Sequence, residues 1–306
     1  MDDFRQLMEE ICKELGINSK IISKGWIYEL EKDGVVRFTT GTCFDNNFHA
    51  LGNIFDDKYG TYELLKSIDV PVIEHQIAYN SDNINDYAID CNTKEYVYDF
   101  FDNNHSDIVL KANIGFGGKE VYHITKKEDI DESLDNLFQK SYSISMCPFY
   151  QIKNEYRLFV LDRNVELMYK KIKPVVIGDG QSTILELLKK LNNHYFNEDN
   201  KELNIVLKKG ETFEYNWQFN LSGGAIMSFD IENDKKNALL DLAKRITDKI
   251  DIGFATIDIV ELETGEFLVM EINSGVGMSH FRQIAKNGRE ISKELYKKAV
   301  KKMFNL

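Results

Sequence analysis

Residues 254–273, FATIDIVELETGEFLVMEIN, contain two strand-forming runs joined at Thr264-Gly265. If Thr264 and Gly265 form a two-residue hairpin turn, counting outward along the strands places Asp258 directly opposite Glu271. Asn273 follows Glu271 by two residues, so it lies on the same face of the hairpin. The segment therefore predicts two carboxylates and an amide oxygen on one face of a sheet.

Two carboxylates placed opposite each other repel unless a cation lies between them. The neighbouring residues Ile257, Ile259 and Ile272 indicate a largely buried sheet, in which unpaired carboxylates are costly. A solvated face of an edge hairpin is the alternative interpretation for an isolated acidic pair. Carboxylate and amide oxygens suit Mg²⁺, or Mn²⁺ in its place, held jointly with a substrate phosphate. The predicted metal ligands are Asp258, Glu271 and Asn273.

A glycine-rich hairpin is predicted within residues 107–124, DIVLKANIGFGGKEVYHI. Glycines allow backbone N-H groups to approach phosphate oxygens closely. The segment fits neither the Walker A pattern nor GxGxxG, and a glycine-rich tip alone is more often a simple turn. The candidate phosphate-binding residues of this loop are Gly115, Gly117 and Gly118.

Three cations elsewhere in the chain strengthen the hypothesis of an anion site. Lys58, Arg157 and Lys171 each lie in or beside a predicted helix or strand that a compact lobe could direct inward. Each cation alone would more often be a surface charge. Because the protein is acidic, inward-facing cations favour an anion bound among them.

Composition excludes several classes of function. The chain has 306 residues and a formal net charge of -12, which argues against general binding to nucleic acid or to anionic membranes. The four cysteines form no CxxC pair, so neither a zinc site nor a disulfide framework is indicated. We expect a cytoplasmic protein, because the first residues resemble an amphipathic helix rather than a signal peptide, and no apolar run approaches membrane-spanning length.

The order of predicted elements suggests three parts. Residues 1–55 form a small unit of one helix followed by strands. Residues 56–147 hold a further helix and the glycine-rich hairpin, and residues 148–306 hold the larger sheet with the carboxylate hairpin. The fold class is therefore predicted as α+β.

Six motifs resemble, in their order, those of the ATP-grasp superfamily of carboxylate-amine ligases, in particular the group that contains cyanophycin synthetase, glutathione synthetase and RimK-like enzymes. The resemblance extends from about residue 56 to 288. The motifs are DDKYGTYELLKSIDVPV (56–72), KANIGFGGKEV (111–121), MCPFYQIKNEYRLFVL (146–161), KIKPVVIGDGQSTILELL (171–188), NLSGGA (220–225) and TIDIV with MEINSGVG (256–260 and 270–277).

The resemblance implies two α+β lobes that grip ATP, preceded by a short N-terminal α/β unit. It implies that a carboxylate is phosphorylated by Mg²⁺-ATP and that an amine then attacks the acyl phosphate. The implied nucleotide-binding residues are Lys58, Lys111, the glycine-rich loop with Lys119, and the hinge residues Met146, Cys147 and Phe149. The implied catalytic residues are Arg157, Lys171, Gly223 and Gly224, and the implied substrate-binding residues are Asn220 and Arg282.

Several residues depart from the motifs of this superfamily. Glu120 replaces a lid glycine, which would bring a carboxylate towards the phosphates, and Lys171 stands where an arginine is usual. No arginine precedes NLSGGA, so Arg282 is the substitute candidate for binding a substrate carboxylate. Two alternatives to a ligase stay open: a phosphotransferase that releases a phosphorylated product, and a non-catalytic nucleotide-binding protein. The expected substrates are small acids, amino acids or peptides, and a homodimer is the expected assembly because dimers are common in the superfamily.

Overall fold

The computed structural model describes residues 3–80, 94–115, 120–190 and 200–306. Gly117, Gly118 and Lys119 of the glycine-rich loop lie outside the described residues. No helix in the described ranges has both the length and the apolar character that crossing a bilayer requires.

The N-terminal unit is a helix followed by an antiparallel four-stranded sheet in sequential order. β2 and β3 form a hairpin with the two-residue turn Asp33-Gly34, because Lys32 pairs with Val35 and both turn residues have positive φ. The elements are α1 (Asp3–Leu15), β1 (Asn18–Ile22), β2 (Ile27–Lys32), β3 (Val35–Thr40) and β4 (Cys43–Phe44).

The second part contains a four-stranded antiparallel sheet in the order β5-β8-β6-β7, which we call the lid sheet. Helices α4 and α5 supply apolar residues to its core. The elements of this part are α2 (His49–Asp56), α3 (Lys58–Ser67), β5 (Gln76–Tyr79), α4 (Lys94–Asn103), β6 (Ile108–Ala112), β7 (Val121–Ile124), α5 (Asp129–Phe138) and β8 (Ser143–Pro148).

The third part contains a five-stranded antiparallel sheet in the order β13-β10-β9-β14-β15, which we call the main sheet, and a two-stranded sheet of β11 and β12. The elements are β9 (Ile152–Leu161), β10 (Asn164–Ile172), β11 (Val175–Ile177), α6 (Ile184–Lys190), β12 (Thr212–Glu214), β13 (Ile226–Ser228), α7 (Asn233–Thr247), β14 (Phe254–Leu262), β15 (Phe267–Asn273), α8 (Ser279–Ile284) and α9 (Gly288–Met303).

The main sheet is covered on both faces, and this burial limits where a site can open. On one face, Leu158 and Ile257 pack with α7 and with Phe55 and Leu65 from α2 and α3. On the other face, Phe159 packs in a core shared with α1 and α9. The helix α3 therefore packs on the main sheet rather than on the lid sheet that follows it in the chain, while the part boundaries at residues 56 and 148 stay an interpretation.

The turn of the carboxylate hairpin differs from the prediction of a two-residue turn. The Leu262 N-H donates to the Glu266 carbonyl, so the loop contains three residues and ends at Gly265, whose φ is +87°. A three-residue loop with its last residue in the left-handed region is a common hairpin type, and glycine fits that position. The predicted two-residue turn is therefore wrong. The observed three-residue loop shifts the strand register near the turn by one residue.

A β-bulge restores the register further from the turn. Ile259 pairs with Val269, whereas the next pair is Asp258 with Glu271, so Met270 is the additional residue. The predicted opposition of Asp258 and Glu271 is confirmed. It results from a bulge that compensates for the longer loop.

Candidate functional site

Three charged residues lie in one row across the main sheet, and we call them the charged row. Arg157 on β9 pairs with Asp258 on β14, which pairs with Glu271 on β15. Directly paired residues of neighbouring strands project from the same face. Arg157 donates Nε to Asp258 Oδ1 at 2.7 Å and Nη2 to Oδ2 at 2.5 Å, a bidentate geometry that favours a strong ion pair.

A second buried ion pair lies beside the charged row. Lys171 on β10 is directly opposite Glu155 on β9, and its ammonium donates to the Glu155 carboxylate. The Lys171 Nζ also lies 3.5 Å from Asp258 Oδ2. Only 4% of the Lys171 side chain is exposed, against 24% of the Arg157 side chain. Arg157 is therefore the cation of this group with more access to a ligand.

The charges of the group depend on one another. Burial by itself would raise the pKa of Asp258, but Arg157 and Lys171 lower that pKa to about 2. Burial disfavours the charge of Lys171, yet Asp258 and Glu155 raise its pKa. Burial raises the pKa of Glu155, with Lys171 acting in the opposite direction. The charge of each carboxylate is thus favoured by a cation that shares its buried environment.

The three predicted metal ligands lie together on one face of the β14-β15 hairpin, where Asp258 is buried and Glu271 and Asn273 are partly exposed. Asn273 donates Nδ2 to Glu271 Oε1 at 3.0 Å, and Glu271 stands opposite Asp258. Within the described residues no group of three His, Cys, Asp or Glu side chains could hold a metal ion, and this set contains two carboxylates and one amide. Such a set fits Mg²⁺ that shares its coordination with substrate phosphates, since Mg²⁺ needs few protein ligands.

Lys58 begins α3 and faces the end of β6. Its Nζ donates to the Gly115 carbonyl at 2.8 Å and to the Asn113 carbonyl at 3.3 Å. Burial lowers the pKa of Lys58 to about 8, with Glu271 opposing the shift and Lys111 adding to it. Lys58, Lys111 and the charged row therefore lie close enough to influence one another's charge.

Asn113 fixes the position of Lys58, a role that no sequence motif predicted. Its side chain accepts a hydrogen bond from the Tyr59 N-H at 3.0 Å and donates one to Asp57 Oδ2 at 2.8 Å. Asp57 is the N-cap of α3 and accepts from the Gly60 N-H. The completely buried Asn113 thus joins the N-terminus of α3 to the lid sheet.

We expect Asn113→Ala to lower the free energy of unfolding by about 2–4 kcal/mol, because it leaves buried polar partners without hydrogen bonds. Urea denaturation followed by circular dichroism measures this change. The matched control is Asn53→Ala on the exposed face of α2, which should change stability by less than about 0.5 kcal/mol. Equal stability of the Asn113 and Asn53 variants would contradict the assigned role.

The predicted hinge residues differ in accessibility. Met146 and Cys147 are buried, and β8 pairs with strands on both sides at this point. Phe149 is partly exposed, and its ring stacks on His123 at 3.8 Å and lies 5.5 Å from the ring of Trp217. Of the three hinge residues, only Phe149 has a partly exposed side chain.

The described part of the glycine-rich hairpin includes Glu120, which departs from the motif. Glu120 has φ +56°, a conformation that glycine adopts without strain and other residues adopt rarely. Its carboxylate pairs with Lys140 Nζ at 2.5 Å. In this structure the Glu120 charge is therefore engaged by Lys140, which follows α5.

The loop NLSGGA leads into β13, at the edge of the main sheet next to β10. Asn220 begins a short 3-10 turn, and Gly224 has φ +95°. The Gly223 N-H donates to the Asn220 carbonyl at 2.9 Å, and the Gly224 N-H donates to the Leu221 carbonyl at 3.2 Å. Both glycine amides therefore hold the turn itself together in this structure.

Arg282 lies on α8, and only 4% of its side chain is exposed. Its Nε donates to Asp3 of α1. The structure thus places Arg282 in an ion pair between α1 and α8, and does not bring it together with the charged row. Its predicted role in substrate binding stays a prediction.

Comparisons with known proteins agree with the fold. No family model matches the chain. The cyanophycin synthetase of Geminocystis herdmanii (strain PCC 6308) is 25% identical over 250 residues, which are 72% of this chain. The matched region is 27% of that relative, so the chain spans only a small part of its length.

Two solved structures have a similar fold over nearly the whole chain. D-alanyl-alanine synthetase A of Vibrio cholerae has a TM-score of 0.56 and 13% identity, covering 98% of this chain and 91% of that one. A RiPP-associated ATP-grasp ligase of Chryseobacterium gregarium, in complex with ADP and a leader and core peptide, has a TM-score of 0.50 and 13% identity, covering 98% and 94%. These similarities show that the chain has the fold of the ATP-grasp ligases, which the order of the motifs predicted.

Proposed function

We propose that the chain joins a carboxylate to an amine at the expense of ATP, through an acyl phosphate. The charged row carries this proposal, because it places the partly exposed Arg157 beside two carboxylates that fit a divalent cation. Phosphoryl transfer depends mainly on fixed positive charge around the transferred group. The substrate carboxylate would come from a small acid, an amino acid or a peptide, and a peptide is bound in the Chryseobacterium ligase.

In the first step of this mechanism, an oxygen of the substrate carboxylate attacks the γ-phosphorus of ATP. The new bond joins that oxygen to phosphorus, the bond from phosphorus to the β-phosphate oxygen breaks, and ADP leaves. Arg157 would stabilise the charge on the transferred oxygens, and Lys58 and Lys111 would bind the phosphates. Mg²⁺ bound by Asp258, Glu271 and Asn273 would neutralise phosphate charge.

In the second step, the amine nitrogen attacks the acyl carbon, and inorganic phosphate leaves with the electron pair of the acyl-oxygen bond. The amine proton passes to solvent or to the departing phosphate. Water must be kept from the acyl phosphate until the amine binds, since hydrolysis would return the free acid and consume ATP without forming an amide. The lid sheet would provide this exclusion by closing over the nucleotide.

Hydroxylamine trapping tests this proposal. The protein is incubated with Mg²⁺-ATP, hydroxylamine and a panel of amino acids, dipeptides and small acids, and both ADP and hydroxamate are measured. An acyl phosphate reacts with hydroxylamine, so we expect equal amounts of ADP and hydroxamate with the correct acid. ADP with a stable phosphorylated product and no hydroxamate would instead indicate a phosphotransferase. If the protein binds nucleotide but forms ADP with none of the acids, it is a non-catalytic protein.

The lowered pKa of Lys58 predicts proton uptake when ADP binds. Near pH 8 about half of the Lys58 side chains are uncharged in the free protein. A bound phosphate raises the pKa of the neighbouring ammonium, so binding at pH 8 takes up at most about half a proton. ADP affinity should therefore decrease as the pH rises above 8, where more protons must be supplied.

Calorimetric titrations at pH 8 in two buffers of different ionisation enthalpy measure this uptake. Lys58→Arg is the matched control, because an arginine stays charged and needs no proton at this pH. We expect Lys58→Arg to bind ADP with an enthalpy that depends much less on the buffer. Uptake of the same size in Lys58→Arg would assign the proton to another group.

A further inference from the structure

His75 is a buried polar residue close to both nucleotide lysines. It directly precedes β5, and only 1% of the residue is exposed. Its Nδ1 lies 2.8 Å from the hydroxyl of Ser145, and Ser145 pairs with Lys111 across the lid sheet. The ring of Tyr62, one turn after Lys58 on α3, meets the imidazole edge to face at 6.3 Å. His75 therefore lies between the strand of Lys111 and the helix of Lys58.

The second ring nitrogen of His75, Nε2, is buried and has no hydrogen-bond partner among the described residues. If the Ser145 hydroxyl donates to Nδ1, Nε2 carries the ring proton and is the only group left unpaired. The other tautomer would leave both the Ser145 hydroxyl proton and Nε2 unpaired. The first tautomer is favoured because each unpaired buried polar group costs about 1–3 kcal/mol.

Burial, together with the neighbouring cations, favours the neutral form of the His75 ring. Burial lowers the pKa of His75 well below its usual value, and Lys111 and Lys58 lower it further. A neutral imidazole adds a hydrogen-bond donor to the site without adding a third positive charge. A donor beside two cations suits an anionic oxygen, which would satisfy all three groups at once.

We propose that His75 Nε2-H binds a phosphate oxygen of the nucleotide between Lys58 and Lys111. This inference rests on the proposed function, and it adds a phosphate ligand that lies outside the motifs of the superfamily. Nε2 is buried in this structure, so the proposal requires that it become accessible when the nucleotide binds. Ser145 orients the ring by fixing Nδ1.

Two substitutions distinguish the roles of the two ring nitrogens of His75. An asparagine amide can take the place of Nδ1 but does not reach Nε2, whereas a glutamine amide reaches further and can take the place of Nε2. We expect His75→Asn to weaken ADP binding about tenfold or more, the loss typical of a charge-assisted hydrogen bond. We expect His75→Gln to bind ADP within about threefold of the unchanged protein.

Adenosine is the control ligand, because it has the base and sugar of ADP and no phosphate. Its affinity, measured by calorimetry, should be unchanged in His75→Asn. Melting temperatures of both variants show whether each is folded. An independent measurement uses the unchanged protein labelled with ¹⁵N: the Nε2 resonance of His75 should shift with ADP and stay in place with adenosine.

Four outcomes would overturn the inference: ADP binding of His75→Asn equal to that of the unchanged protein, His75→Gln as weak as His75→Asn, an equal loss of adenosine binding, or no ADP-specific shift of Nε2. These failures differ from failure of the proposed function. If the unchanged protein does not bind ADP, the proposed function fails and the inference fails with it. If it binds ADP normally and releases hydroxamate, only the role of His75 is rejected.

Discussion

Glu271→Gln should lower the rate of ADP release by about a thousandfold or more, with little effect on folding. Glutamine has the shape of glutamate but no charge, so it is a much weaker ligand for Mg²⁺. Glu271 stands opposite Asp258 and accepts a hydrogen bond from Asn273, which an amide oxygen can also accept. The substitution also removes the repulsion between two neighbouring carboxylates, so no loss of stability is expected.

Glu263→Gln is the matched control, since Glu263 is exposed in the loop of the same hairpin. The rate of ADP release is measured for both variants at saturating ATP and Mg²⁺, and the melting temperature is measured alongside. A second measurement uses the link between Glu271 and Lys58, because Glu271 raises the pKa of Lys58. The midpoint of proton uptake should fall in Glu271→Gln. Retention of more than a tenth of the turnover would refute the metal assignment.

Lys171→Met should lower the free energy of unfolding by about 3–5 kcal/mol, the usual effect of removing one partner from a buried ion pair. The ammonium of Lys171 contacts Glu155 and lies near Asp258, and all three residues are buried. Arg157 still compensates Asp258 after the substitution, whereas the ionised Glu155 loses its ammonium partner. The unpaired Glu155 carboxylate therefore accounts for most of the decrease in the free energy of unfolding.

The pH dependence of Lys171→Met shows which carboxylate is responsible. The folded pKa of Glu155 is already raised by burial, and without Lys171 it rises further. The folded state then binds a proton more tightly than the unfolded state, so stability falls as the pH rises above the unfolded pKa of about 4.3. The loss should be small near pH 4 and complete above the folded pKa. Urea denaturation across this range measures it.

The double variant Glu155→Gln, Lys171→Met is the test of this explanation, because it removes both charges. It should recover most of the stability that Lys171→Met loses at pH 7. Lys171→Arg keeps the charge and restores the residue that is usual in the superfamily, so it should fold. If the double variant is as unstable as Lys171→Met, the loss comes from packing rather than from an unpaired carboxylate.

The candidate site was predictable from sequence where residues close in the chain determine it. Glu271 and Asn273 share a face because side chains alternate along a strand. The pairing of Asp258 with Glu271 was predicted correctly from a turn of the wrong length, since the bulge at Met270 compensated for the longer loop. Bulges depend on packing between strands, and no local sequence pattern in this hairpin predicted one.

Contacts between distant segments could not be predicted in this way. Lys171 looked like a ligand for a transferred phosphate, but Glu155 and Asp258 hold its charge inside the main sheet. Arg282 pairs with Asp3, which is 279 residues away. Asn113 and His75 gave no signal, because their neighbours in sequence do not include the groups they contact. A side chain's partners depend on strand order and helix docking.

The sequence by itself predicted the ATP-grasp fold, the strand that carries each metal-ligand candidate, and Lys58 and Lys111 as candidate nucleotide lysines. These predictions depend on residue type, spacing and motif order, which can be read without knowledge of the fold. The tertiary structure decided which charges are free to act. It left Arg157 partly exposed, enclosed Lys171 and Arg282 in ion pairs, and placed His75 between the two lysines. The reason is physical: a buried charge must be paired, and only the packed chain decides which partner it meets.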